Sequence, residues 1–349
     1  MSEDIVFSLD GVAGRILLNR PEVLNALNHD MIVKLQVQLN MWEADDNVKI
    51  IIIEGIGEKA FCAGGDIRAL YDSKPDNEEF CATFFADEYR LNMYIKSYSK
   101  PFISIMDGIV MGGGVGLSVP GSIRITTENT RCAMPETGIG FFPDVGGTYY
   151  LSRAPNKSGV YLGLTGNRMQ AADTIYTGFA DKSVASTCLS ELTSSLCNHD
   201  YSPNLSHEIY TLIKPYEMDP GPATLKTLGR QNLDVFSKSS VEEIFAELEK
   251  LGSDWSIQTL ENLRQKSSAS LKVTLKAINS ARELSFNECM AQEYRIALQM
   301  MKGNDVYEGI RALIIEKDGQ PNWHPSSLEL VTNEFVDSHF QSLGEMELS

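Results

Sequence analysis

Ile50-Ile51-Ile52-Ile53 is a run of β-branched residues with no polar alternation, so it reads as a strand buried on both faces. Pro101-Phe102-Ile103-Ser104-Ile105-Met106 reads as a second buried strand. Around them strands and helices alternate. Ile5–Leu9 and Gly14–Asn19 form two strands joined by a turn, and Asp30–Glu43 carries the apolar spacing of an amphipathic helix, giving a ββα unit. Helices follow over Asp66–Tyr71 and Asn77–Ser97, then a helix opened by glycines that ends near Leu117, then strands Ile123–Thr126 and Arg131–Ala133. Strand signals stop near residue 184, and helical periodicities take over at Val241–Lys250, Ser270–Arg282, Asn287–Met301 and Val306–Glu316. The class is α/β, with a core over residues 1–197 and a helical C-terminal region over 198–349. Asn198–Gly221, holding Pro203, Pro215 and Pro220, reads as a loop-rich junction.

Charge and cysteines narrow the function. The net charge of −17 is spread evenly, which disfavours nucleic acid and anionic membranes as partners. An anionic ligand then needs local donors such as backbone N–H groups. The six cysteines are scattered without metal-ligand spacing, which suits reduced thiols and predicts no metal site. Met1-Ser2-Glu3-Asp4 has neither the basic nor the apolar run of a leader, so a cytoplasmic place is expected. Phe102–Val119 is the most apolar stretch, but Asp107 and five glycines make it a poor membrane span.

The motifs of a serine-hydrolase elbow, a phosphate loop and a dinucleotide fold are absent, and no histidine lies between residues 30 and 198. Carboxylates are therefore the expected acids and bases. Two small-residue loops, Lys59–Asp66 and Asp107–Gly116, each leave a strand and enter a helix. Either they are tight turns, or their free N–H groups converge on an oxyanion. Asp66 is placed to cap its helix. In Met134–Gly147, Glu136 and Asp144 sit among apolar and glycine residues with no basic partner nearby in sequence. Such carboxyls tend toward raised pKa values and proton transfer, the plainer alternative being helix caps. Glu88 falls on the apolar stripe of Phe80, Phe84, Leu91 and Ile95, so it faces inward, a position that a paired structural carboxylate would also explain.

Together these segments resemble the crotonase (enoyl-CoA hydratase/isomerase) superfamily, above all its 3-hydroxyisobutyryl-CoA hydrolase branch. The resemblance runs from Asn19-Arg20-Pro21-Glu22-Val23-Leu24-Asn25-Ala26-Leu27 through Phe61–Arg68, Met111–Ser118 and Ala133–Gly147 to Glu308-Gly309-Ile310-Arg311-Ala312 and Lys317–Trp323. It implies a spiral of ββα turns with a helical C-terminal region. It also implies that the Gly65 and Gly113 amides hold a thioester oxygen, and that Leu24, Ala26 and Ala63 line the adenine end of coenzyme A. Hydratases of the superfamily use two glutamates; here Gly116 stands at the first position, Glu136 at the second, and Asp144 replaces a usual glycine. That pattern resembles the hydrolases, as does Phe84–Asn92, where Glu88 matches a substrate-site glutamate. The resemblance thus implies hydrolysis of a short 3-hydroxyacyl-CoA in valine breakdown, with Glu136 and Asp144 catalytic and no cofactor beyond the CoA of the substrate. The alternatives are an enoyl-CoA hydratase or isomerase, and a non-catalytic CoA- or RNA-binding relative.

Overall fold

The computed structural model describes residues 3–72, 78–202 and 205–348; Met1, Ser2, Asn77 at the expected start of a helix, and Pro203 lie outside them. The chain packs as two compact units, each made of three stretches. One comprises Met1–Gly65, Leu91–Cys132 and Met169–Ala223, the other Asp66–Arg90, Ala133–Arg168 and Thr224–Ser349. A boundary at 197/198 separates the elements by type, whereas packing divides the chain elsewhere.

In the first unit β1 (Ile5–Asp10) and β2 (Ala13–Leu18) form an antiparallel hairpin around Gly11, whose φ of +56° suits glycine in a tight turn. Parallel to β2 runs β3 (Ile50–Gly55), followed across the sheet by β5 (Phe102–Met106), β7 (Ile123–Thr126) and β9 (Lys182–Ser183). A second sheet takes β4 (Ala60–Cys62), β6 (Ile109–Met111) and β8 (Arg131–Ala133) in that order. After the opening hairpin, which gives both strands to the large sheet, the pairs β3/β4, β5/β6 and β7/β8 each give one strand to each sheet, the expected spiral of ββα turns. β4 and β6 lie where the sequence reads as loop.

The isoleucine run is buried on both faces, as its lack of alternation requires. One face of the large sheet is covered by helices Leu189–Cys197 and Leu205–Ile213, with Leu192, Leu196, Ile209 and Ile213 packed on Ile50, Ile52, Ile103 and Ile105. Asn198–Gly221 is thus no loop-rich junction. Pro215 and Pro220 fall after the helix, where proline is tolerated. α1 (His29–Glu43) buries Met31, Ile32, Leu35, Leu39 and Trp42, and a side chain at Gly14 would lie 2.7 Å from the Trp42 ring.

Four of the C-terminal helices start on serine. Ser240, Ser253, Ser267 and Ser285 each accept a first-turn N–H of the helices Val241–Leu251, Asp254–Arg264, Ser268–Ala281 and Phe286–Met301, and Ser285 completes a capping box with Glu288. The expected Val306–Glu316 helix is α-helical over Asp305–Ile310 and then a π turn over Arg311–Ile315.

Candidate active site

In the first unit, parallel pairing of β4 with β6 brings their following loops out at the same sheet end. Gly64, at φ +117°, and Gly112, at φ +48°, adopt backbone shapes that other residues avoid. A side chain at Gly64 would meet Met111 O at 3.3 Å and Gly113 N at 3.7 Å, and one at Gly114 would meet Cys62 O at 2.3 Å. The glycines therefore permit close packing of the two loops and leave the Gly65 and Gly113 amides as neighbours. Gly113 opens α4 (Gly113–Ser118), where a first-turn N–H has no intrahelical acceptor. Among the described residues neither amide has an acceptor. Tight packing and free donors occur together.

The expected CoA-binding residues are tied to the same loops. Ala63 N donates to Leu24 O at 3.0 Å, Leu27 N donates to Gly64 O at 2.8 Å, and Leu27 bridges Gly65. Leu24 and Asn25 are both left-handed, at φ +56°. Buried Asn25 fixes that turn: its Nδ2 donates to Ile56 O and Ala60 O, and its Oδ1 accepts from Arg20 N. Arg20 also donates to Ala26 O at 2.7 Å. Asn25 stands within the Asn19–Leu27 motif but carries no role in the sequence reading. Its signal is the pair of consecutive non-glycine left-handed residues, which a sequence does not display. Gly116 lies within α4, its carbonyl accepting from Asn92 Nδ2 at 2.9 Å, so no carboxylate occupies that position.

The acids gather in the second unit. Glu136 opens the 3-10 turn Glu136–Ile139, and Gly309 lets the helix Asp305–Ile310 lie against it, since a side chain there would fall 2.4 Å from the Ile139 backbone. Glu88 and Tyr89 come from α3 (Glu78–Ser97), with Phe84, Phe85, Leu91 and Ile95 buried beside them on the same helix. Tyr89 Oη donates to Asp144 Oδ2 at 2.7 Å. Phe85 stacks on Phe141 at 5.8 Å between centroids, and Phe141 meets Phe142 at 4.9 Å. Apolar rings therefore set the dielectric around the carboxyls.

Neither Glu136 nor Asp144 caps a helix: Pro135 and Gly146 hold those places. Among the described residues Glu136 Oε2 and Glu88 Oε1 are buried without a hydrogen-bond partner, and Glu88 has no pairing cation. Burial, then the nearby Asp144 charge, pushes Glu88 and Glu136 well above the carboxylate range. Burial raises Asp144 to about 7, against the pull of the Tyr89 hydroxyl. A carboxyl poised as Asp144 is can both give and take a proton near neutrality. Among the described residues no group of three His, Cys, Asp or Glu could hold a metal ion.

Two further groups escape the sequence reading. Tyr89 is one. The other is fully buried Glu293, which accepts from Gly146 N at 2.7 Å and from Thr148 N at 3.0 Å. Burial lifts Glu293 to about 8, against those donors. Its signal is present in the sequence: Phe286, Cys289, Met290, Ile296, Ala297 and Met300 form the buried stripe on which it falls.

These raised values fix a sign for stability. Asp144 and Glu293 keep protons in the folded protein up to about 7 and about 8, whereas the unfolded chain releases them near pH 4. The folded state binds more protons across that window, so stability falls as pH rises from about 4 to about 8. Thermal melts should give a lower Tm at about pH 8 than at about pH 6, and Asp144→Asn should shrink the difference. A Tm that rises over this interval would contradict the burial of these carboxyls.

A spiral of ββα turns carrying such glycine loops and buried acids is the architecture of the crotonase class of acyl-CoA enzymes. The comparisons agree: the family described as enoyl-CoA hydratase/isomerase matches residues 13–340, and the chain belongs to it. It is 43% identical over 341 residues to a mitochondrial 3-hydroxyisobutyryl-CoA hydrolase of Xenopus tropicalis, covering 97% of this chain and 89% of that protein. A protein of the same name from Danio rerio is 43% identical over 350 residues, with 99% and 91% covered. The crystal structure of a carnitinyl-CoA dehydratase from Mycobacterium thermoresistibile is 37% identical, with a TM-score of 0.93 over 100% of this chain and 99% of that one. No described helix is long and apolar enough to cross a membrane.

Proposed function

We propose that this chain hydrolyses a short 3-hydroxyacyl-CoA, specifically 3-hydroxyisobutyryl-CoA to 3-hydroxyisobutyrate and CoA, as in valine breakdown. The observation that carries the reading is the exchange of acids: Gly116 stands where a hydratase needs its first glutamate, while Glu136 and Asp144 share one buried cluster that has no cation among the described residues. The near-full-length relatives named for this hydrolysis support it.

The Gly65 and Gly113 amides take the thioester oxygen as it becomes negative. Glu136 either attacks the carbonyl carbon, giving a mixed anhydride that water then cleaves to free the acid and restore Glu136, or removes a proton from water that attacks the carbonyl carbon directly. As the C–O bond forms and the C–S bond breaks, Asp144 supplies or receives the proton at the leaving thiolate or the water. Glu88 orients the acyl group or its hydroxyl, and Leu24, Ala26 and Ala63 line the adenine end of CoA. The reaction needs no cofactor beyond the CoA of the substrate. The even charge of −17 supports the absence of nucleic-acid and membrane-surface partners. Six cysteines outside any disulfide suit a reducing compartment, the cytoplasm in this reading; the relatives named above are mitochondrial.

The second reading, hydration or dehydration of an acyl-CoA, is favoured by the name of the mycobacterial protein and opposed by Gly116. Following free thiol with 3-hydroxyisobutyryl-CoA and 3-hydroxypropionyl-CoA tests the acyl group. The two differ by one methyl, so kcat/KM should favour the branched substrate by about 10–200-fold, or roughly 1–3 kcal/mol. Equal values would leave the branched acyl group without support, and no thiol from either would overturn the hydrolase reading.

A further inference from the structure

We propose that Glu293 is a positioning residue for Asp144, clamping the turn that follows Asp144 in the one backbone arrangement that aims its carboxyl. The inference rests on Asp144 being the proton carrier of the proposed reaction.

Within the turn, Gly147 N donates to Asp144 O at 2.6 Å, and that one bond leaves the strain at Val145 and the N–H groups of Gly146 and Thr148 to be met from elsewhere. Val145 sits at φ +50°, a left-handed conformation that is strained for a β-branched residue. Gly146, the N-cap of α5 (Gly147–Arg153), has no side chain to satisfy the first-turn N–H groups. Glu293 supplies what is missing from far along the chain: Oε2 accepts from Gly146 N, and Oε1 accepts from both Thr148 N and Thr148 Oγ1. Phe286, on the same helix, fills the space beside Gly146, where a side chain would fall 2.6 Å from its ring. One helix thus grips the turn by a carboxyl group and by an aromatic edge. Strained Val145 lies directly between that grip and Asp144. Release of the grip lets Val145 relax to ordinary backbone angles, and Asp144 then swings away from Tyr89 Oη.

The titratable groups facing Asp144 are Glu88 and Tyr89 of α3, Glu136 of the 3-10 turn, and Glu293; those acting with Glu293 are Asp144, Glu136, Tyr89 and Cys289. All are acids or weak acids, so a change at Glu293 reaches Asp144 through the turn and through like charge.

Glu293→Gln keeps the size but aims an amide N–H2 at an N–H donor. Thr148→Val removes one of the three contacts and should fold if the glutamine variant does not. Steady-state kinetics of thiol release from 3-hydroxyisobutyryl-CoA across pH should show kcat lower by about 10²-fold for Glu293→Gln, the scale of a misplaced catalytic group, with KM within about twofold. Thr148→Val should lie between it and the wild type. The limb of the pH profile near neutrality should be displaced in both. In each double variant with Asp144→Asn, turnover should be no slower than in Asp144→Asn alone, because the clamp acts only through that carboxyl. Losses that multiply, or a lowered Tm with unchanged kcat and pH profile, would overturn the clamp. Wild-type turnover in Asp144→Asn would instead overturn the catalytic reading, and the inference with it.

Discussion

Glu136→Gln and Asp144→Asn should each lower kcat by at least about 10²-fold, the scale of a lost general acid or base, without loss of the fold. A glutamine amide at position 136 would occupy nearly the volume of the carboxyl, in a turn held by Gly309 and by Phe141 N, which donates to Glu136 O at 3.0 Å. In the asparagine variant the new amide oxygen can still accept from the Tyr89 hydroxyl, as Asp144 Oδ2 does. Neither substitution removes a cation's partner, since the cluster has none among the described residues. Both remove a carboxyl whose ionisation burial disfavours, so both variants should melt at or above the wild-type temperature at about pH 8. Dead but stable proteins are the expected outcome. A variant that kept wild-type turnover would show its carboxyl to be no part of the chemistry, and one that lost Tm at about pH 8 would show it to be structural.

Gly113→Pro is the second large effect. The oxyanion donors are backbone amides, so deleting a side chain cannot remove them, whereas proline removes the N–H itself. Gly113 is the first residue of α4, the helical position where proline is best tolerated. Loss of one such donor typically costs about 10²–10³ in kcat, roughly 2.7–4 kcal/mol. Gly113→Ala keeps the donor and measures the effect of added bulk near the acyl group. The expected pattern is a folded proline variant, by circular dichroism and thermal melting, that loses far more turnover than the alanine variant. Equal turnover in wild type and a folded proline variant would make Gly113 a packing glycine only.

The parts of the molecule that are legible in the sequence are those where one face of an element repeats. Ile123–Thr126 and Arg131–Ala133 fall where their composition puts them, and Glu88 faces inward because its neighbours at helical spacing do. β4 and β6 are hidden because three residues show no period, although their pairing sets the two loops side by side. Helix Leu205–Ile213 is hidden by the prolines around it, which read as breakers but lie beyond its ends. Contacts across long separations, such as Asn25 with Ala60 or Glu293 with Thr148, have no local signature at all. Glu136 and Asp144 stand out because acids in an apolar, glycine-rich segment are conspicuous. Tyr89, whose hydroxyl meets Asp144, does not, since a tyrosine on a buried helix stripe resembles any other core aromatic.

The exchange of a hydratase glutamate for Gly116, with Asp144 added, is most directly tested by presenting the wild-type protein with 3-hydroxyisobutyryl-CoA and with crotonyl-CoA, while following free thiol and loss of the enoyl double bond separately. The account predicts rapid CoA release from the first and scarcely any hydration of the second. Efficient hydration of crotonyl-CoA without thiol release from either substrate would contradict it.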